Sequence, residues 1–390
     1  MLSIKLAYRN LMGAGLRTWL NVLVLSFSFV IIIWHRGILD GWNHQAEVDT
    51  INWEIGGGIY WHEKYDPYDP FTLTDSHGPV PYQLKKEINA GNLEPILISQ
   101  ATIYPDGHMQ TVLLKGIDPE QMILALPTAP LDTMINEIPA VIGTRMAKSI
   151  KLKTGDYMTV RWRDVNGVFD AADIRIVGVF KTNVPSVDNG QIWLPLDRLQ
   201  KMMQMPDEAT IIVAAKEVSE PILTSSWEFK DHDFLLSDLT EMIRSKSIGG
   251  SIMYIILLLL AMLAIFDTQV LSIFRRQREI GTHMALGMTR GQVIRLFTVE
   301  GAMHGILAAL IAAIYGIPFL YWQSVAGLSM PAGTDDMGMA VAEKILPVYS
   351  VGLVISTTLI VLIVVTIVSF LPTRRIAKMN PTEAIKGKVI

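Results

Sequence analysis

His62-Glu63 could open a zinc-hydrolase signature, in which two histidines four residues apart on a helix hold the metal and the glutamate activates water. No second histidine stands at that spacing. His108, His232 and the Asp231/Asp233 pair are isolated and read as solvated surface residues. Zero cysteines exclude thiol catalysis and cysteine-ligated metal. A second group consists of ionisable residues in apolar surroundings: Asp267, Glu300 and His304. Such residues are costly in a membrane and read first as functional. Asp267, roughly 10 Å before Arg275 along a helix, either serves function or pairs with Arg275 or Arg276. Glu300 is placed to cap or brace the basic segment before it, and His304 to make an interhelical hydrogen bond. That segment, 275–293, is the third feature. Ile280, Met284 and Met288 recur at i, i+4 and i+8, which gives one apolar stripe flanked by arginines. Gly281 and Gly287 allow close backbone approach, and Gly287 is placed to end the helix. A helix of this kind can lie on lipid or sit in a partner's groove, and the pattern leaves both open. Arg278 and Glu279 favour specific pairing, because an acid facing anionic lipid is unfavourable.

The elements that position these residues are apolar blocks. Half of the 390 residues are hydrophobic and 18% are charged, against roughly 25% in average chains. Four stretches are long enough to span a bilayer, which takes about 20 apolar residues: 18–39, 247–274, 297–322 and 345–372. In the third, Pro318 and the small polar residues past Trp322 read as its exit. The first has a basic flank like a signal peptide, but its apolar run is too long and no small-x-small site follows, so it reads as an uncleaved anchor. The segments 1–17, 274–297 and 373–390 hold 13 of the 33 basic residues and only 2 of the 37 acidic ones. Positive charge marks the cytoplasmic side. Both termini and the 275–296 loop are therefore expected inside, and the segments 40–246 and 323–344 outside. The net charge of −4 gives no footprint for nucleic acid.

The 40–246 segment is long enough for a domain of its own. Alternation predicts strands at Thr111–Ile117, Tyr157–Trp162, Asp173–Phe180, Gln191–Leu196 and Ala209–Ala215. Helices are expected at Tyr82–Ala90, Pro119–Ala125, Gly143–Ile150 and Leu196–Met203. Trp53–Gly78 reads as a loop. Its Trp53, Tyr60, Trp61, Tyr65, Tyr68 and Phe71 form either a contact loop for a lipid anchor or partner, or a loop packed on its own domain. Leu235, Leu236, Leu239, Met242 and Ile243 share a helical face that runs into the second span as a stalk, with Gly249-Gly250 as its weak point. The fold class expected is an α-helical membrane protein with four transmembrane helices plus a large α+β extracytoplasmic domain.

Arg278-Glu279-Ile280-Gly281, then Ala285-Leu286-Gly287, Gln292 and Glu300-Gly301, resemble the signature of MacB/FtsX/LolC-type ABC transporter permeases. Ala7-Tyr8-Arg9-Asn10-Leu11 with Arg17 resembles the amphipathic helix before that family's first span, and the run Pro372–Ile385 its closing motif. Gly155-Asp156, Ile176-Val177-Gly178 and Asp188 resemble its periplasmic domain. The resemblance implies a bacterial inner-membrane permease with a periplasmic domain and a coupling helix, carried by Arg278–Met288, that docks on an ABC-type ATPase. In that reading Ile280, Met284 and Met288 make the mechanical contact, and charge reversal at Glu279 or Gly281→Trp uncouples the ATPase. No Gly-x4-Gly-Lys-Ser/Thr phosphate loop occurs in the sequence. The expectation is a non-catalytic chain that binds no cofactor or metal, with ATP and magnesium on the partner. It further implies a second permease subunit, and lipoprotein release ahead of MacB-like export or FtsX-like regulation of cell-wall hydrolases. A membrane-anchored sensor or scaffold is the reading from another class.

Overall fold

The computed structural model describes residues 16–133, 137–216, 221–329 and 344–376. The amphipathic helix expected over 1–17, most of the 323–344 loop and the tail from 377 lie outside them. The helices that matter below are α1 (Leu16–Thr50), α2 (Tyr82–Asn89), α3 (Thr144–Ile150), α4 (Leu196–Met203), α5 (Ser237–Arg275), α6 (Gln277–Ala285), α7 (Arg290–Ala326) and α8 (Val351–Ile376). The described chain divides into a helical unit (residues 16–43, 243–329 and 344–376) and a second unit (44–242). The boundaries fall inside α1 and α5.

Among the described residues, four helices are long and apolar enough to cross a membrane, in α1, α5, α7 and α8. Two span limits differ from expectation. Pro318 does not end the third span, and α7 continues to Ala326. A proline removes one helical N–H, but unwinding the residues beyond it in hydrocarbon would strand several more backbone groups. The helix stops instead at Gly327, where Gln323 Nε2 donates to the Gly327 carbonyl at 3.1 Å. Residues 345–350 are not helical. Lys344-Ile345 pairs antiparallel with Leu328-Ser329, and α8 starts after Ser350, whose hydroxyl accepts from Leu353 N at 3.1 Å. Small residues of α7 pack against its neighbours. A Cβ on Gly305 would meet Leu362 and Val365 of α8 at 3.0 and 3.3 Å, and one on Gly316 would meet Val30 of α1 at 2.7 Å. Without side chains at these positions, helix backbones approach closely. The helix from Ser237 runs through Gly249-Gly250 without a break.

The second unit is built on nine strands: β1 (Gly58–His62), β2 (Leu93–Ile103), β3 (Gln110–Ile117), β4 (Ile138–Gly143), β5 (Tyr157–Arg163), β6 (Phe169–Phe180), β7 (Gln191–Pro195), β8 (Ile211–Ala214) and β9 (Trp227–Lys230). Their order is β9-β1-β8-β2-β3-β7-β4-β6-β5, and β5 also pairs with β2. Strands β2, β3, β7, β4, β6 and β5 therefore close into a six-stranded ring, and β8, β1 and β9 extend from the β2 edge. Closure removes exposed strand edges. Leu97, Ala101, Leu114, Ile142, Val160, Trp162, Ile176 and Leu194 fill a core with Met146 and Ile150 of α3 and Leu199 and Met203 of α4. In β5 the burial alternates strictly, with Met158, Val160 and Trp162 inside.

Pro119–Ala125 is not a helix. The Asp118 carboxylate accepts from Glu120 N, and Gln121 Oε1 accepts from the Ile123 and Leu124 amides, each at 2.9 Å. These side chains satisfy the local backbone in a turn and so remove the gain from a helix. Trp53–Gly78 is not one loop, because β1 lies inside it, between β8 and β9.

Glu94 on β2 is buried and accepts the Asp118 amide at 2.9 Å. Burial pushes its carboxyl up from 4.5 to about 8. The folded state then holds a proton that the unfolded chain has released between those two values. Stability is therefore full below pH 4.5 and falls as pH rises through 8. Glu94→Gln should flatten this slope and stabilise the chain at pH 8.5 by about 2 kcal/mol or more. Thermal melts of the full chain at pH 5, 7 and 8.5 check it; an unchanged slope in the variant contradicts it.

Candidate functional site

The basic segment folds as a short helix turned back on the start of the third span. Helix α6 ends at a Schellman motif. Gly287 has φ +97°, the Met288 amide donates to the His283 carbonyl at 3.0 Å, and the Gly287 amide donates to the Met284 carbonyl at 3.1 Å. A capping box then starts α7. Thr289 Oγ1 accepts from Gln292 N at 3.3 Å, and Gln292 Oε1 accepts from Thr289 N at 2.9 Å. Two satisfied caps in five residues make a stiff corner.

The apolar stripe faces inward, contrary to its expected role as the partner contact. Ile280 is 1% exposed and packs on Val293 and Phe297 of α7, with Met284 and Met288 beside it. Burying these side chains against the chain's own span removes them from water, which is the larger gain when both surfaces are apolar. Gly281 is also buried, so a tryptophan there breaks this packing before it tests any docking. What remains outside is Arg278, Glu279, Ala285, Gly287 and Leu286, the last 81% exposed.

Arg276, expected as a basic flank or as a partner of Asp267, is central. Its Nη1 donates to Glu300 Oε1 at 2.6 Å, its Nε donates to Glu279 Oε2 at 2.7 Å, and its guanidinium lies 4.9 Å from the Phe297 ring centre. Glu300 is buried and braces the segment as expected. Arg276 is thus held by Glu300 and Glu279; Asp267 stands exposed on α5. His304 makes its hydrogen bond within its own helix, Nδ1–H donating to the Glu300 carbonyl at 2.8 Å, and not between helices.

The aromatic stretch of the second unit divides in two. Tyr60 is fully buried in β1 against Phe229, and its hydroxyl accepts from Ile222 N at 2.8 Å. Trp53 stacks on Phe180, and Trp61 meets Tyr65 and Phe234 edge-on. Only Tyr68 and Phe71 are open, Phe71 at 88%. Tyr60→Ala should cost about 3–5 kcal/mol of stability, and Phe71→Ala less than about 0.5 kcal/mol. Denaturant melts of the two variants separate core from contact surface; equal losses would contradict the division.

Residues 251–381 match the FtsX-like permease C-terminal family. This stretch includes the α5–α6–α7 corner and the spans around it. The chain is 23% identical over 326 residues to the lipoprotein-releasing system transmembrane protein LolC of Xylella fastidiosa, covering 75% of this chain and 76% of that protein. A LolC of Neisseria meningitidis serogroup B is 23% identical over 334 residues, or 75% of this chain and 77% of that one. The macrolide export ATP-binding/permease protein MacB of Sodalis glossinidius is 25% identical over 240 residues, 55% of this chain and 34% of its own length. With four helices long and apolar enough to span a membrane and this corner between the second and third of them, the chain is similar to MacB/FtsX/LolC-type ABC transporter permeases, and its residues 251–381 match the FtsX-like permease C-terminal family.

Proposed function

We propose that this permease passes ATP-driven motion of a separate ATPase to its 44–242 unit, and that the work done there is the release of lipoproteins from the membrane. The observation that carries the coupling reading is the α6 corner. It is braced by Arg276, Glu279 and Glu300, and its end presents the large exposed side chain of Leu286 beside Ala285 and Gly287. A rigid corner with an exposed apolar knob fits a groove on a protein surface. The sequence lacks a phosphate loop, so ATP and magnesium belong on the partner. The positive segments support an orientation with α6 and both termini in the cytoplasm and the 44–242 unit in the periplasm of a bacterial inner membrane.

Lipoprotein release is favoured over other cargo because the LolC relatives align over three quarters of both chains, whereas the MacB relative is matched over a third of its length. That MacB match supports export of a periplasmic peptide, toxin or drug as the second reading. A second permease subunit, identical or different, completes the assembly. Co-purification from membranes with mass spectrometry tests both parts. The proposal expects an ATP-binding polypeptide and an acylated protein. An ATPase with no acylated protein favours the export reading, and no ATPase at all contradicts the coupling.

A further inference from the structure

We infer that Arg276 bolts the coupling helix to the third span as one rigid body and leaves the second span hinged at that same residue. The inference deepens the coupling reading, on which only its functional consequence depends. Helix α5 ends at Arg275 and α6 begins at Gln277, so a single residue separates them. That residue has φ −94° and ψ 11°, outside helical values, and it is the place where the backbone turns. Its side chain crosses to α7. Two charge-assisted hydrogen bonds, at 2.6 Å to Glu300 and 2.7 Å to Glu279, hold the guanidinium on the face of Phe297. Glu300 is buried, so removing Arg276 takes away a charge partner it holds in a low-dielectric site, and removing Glu300 leaves the guanidinium on Glu279 alone.

Below the bolt, Ile280, Val293 and Phe297 form a small core, and the two caps fix the turn between α6 and α7. Helix α7 then continues unbroken to Ala326, seated on α8 at Gly305 and on α1 at Gly316. The second span is seated at one end, where a Cβ on Gly250 would meet Leu39 of α1 at 2.7 Å and Tyr254, Leu257 and Leu258 pack on the helical core, but not along its outer face. Ile252, Leu259, Leu260 and Leu263 of α5 are each at least half exposed. A push on Leu286 therefore moves α7, and through it α8 and α1. The second span follows through a one-residue joint.

The native chain has no cysteine, so introduced pairs can be spin-labelled singly. In the full chain in lipid bilayers, T282C/I306C reports α6 against α7, and T282C/L263C reports α6 against α5. The expected result is a single narrow distance distribution for the first pair and one at least twice as wide for the second. E300Q should at least double the width of the first. The charge swap R276E/E300R, which keeps an opposite-charge pair between positions 276 and 300, should restore it. In complex with its ATPase, E300Q should lower transport-linked ATP turnover about tenfold while the ATPase stays bound, and the swap should recover it. Unchanged T282C/I306C width in E300Q, or equal widths for the two pairs in the native chain, would overturn the inference. If E300Q fails to fold, the swap variant decides, and a broad T282C/I306C distribution in it is the contrary result. Failure to bind any ATPase counts against the coupling reading alone, because the distances need no partner.

Discussion

Leu286→Asp is expected to leave the permease folded and to abolish its grip on the ATPase. Leu286 is 81% exposed at the end of α6, so a carboxylate there stays in water, and surface changes of this kind cost within about 0.5 kcal/mol. An apolar anchor at the centre of an interface is worth roughly 2–4 kcal/mol. The expected loss of ATPase affinity is therefore on the order of 100-fold. Ile280→Asp should do the opposite. It places a charge in the core formed with Val293 and Phe297 and should destabilise the chain by about 3 kcal/mol or more. Thermal melts beside pull-down of the ATPase check the pair. A destabilised Leu286→Asp, or a stable Ile280→Asp that no longer binds, would reverse the assignment of the two faces.

The second large effect lies at the far end of the first span. A Cβ on Gly41 would stand 2.2 Å from the Leu346 carbonyl oxygen and 2.8 Å from Pro347 Cα. These are backbone atoms, held in place by the Val348 amide, which donates to the Gly37 carbonyl at 2.9 Å. Gly41→Val forces α1 away from the segment that enters α8 and should cost about 2–3 kcal/mol. Gly249 in α5 is the contrast. Nothing lies within 4 Å of a Cβ there, and Gly249→Ala should stabilise the helix by up to about 1 kcal/mol. Unfolding in mild detergent, followed by circular dichroism, reads both. Equal effects would mean that glycine matters at these sites for flexibility and not for space.

The four long apolar helices could be read from sequence because hydrocarbon imposes one requirement, a largely apolar run of sufficient length, and four runs met it despite Arg36, Asp267 and Glu300. Their ends could not, because they depend on single hydrogen bonds such as Leu353 N to Ser350 Oγ. Strands with one buried face, such as β5, announced themselves by alternation. Strand β2 did not. Residues 93–99 are buried on both faces, so no alternation exists to be seen. Strand β1 was hidden behind Gly56, Gly57 and Gly58, which signal a turn, although Ile59, Tyr60 and Trp61 favour a strand.

The segment singled out in sequence folds as α6, but its apolar stripe faces the chain's own third long helix. Spacing at i, i+4 and i+8 shows that Ile280, Met284 and Met288 share a face, but not what that face meets. The answer depends on Val293 and Phe297, which come close only once the Gly287 turn folds α7 back. Arg276 escaped notice for a related reason. Beside Arg275 and Arg278 it adds to the positive charge of the segment, and its distinction, a reach to Glu300 across 24 residues, exists only in the fold.

The central claim is that the α6 corner is gripped from outside at Leu286. A photo-crosslinking amino acid placed at position 286, and separately at 280, in intact membranes tests it most directly. The account predicts a crosslink from 286 to an ATP-binding polypeptide and, from 280, only crosslinks within the chain. A crosslink to that polypeptide from 280 and not from 286, or to lipid alone from 286, would contradict it.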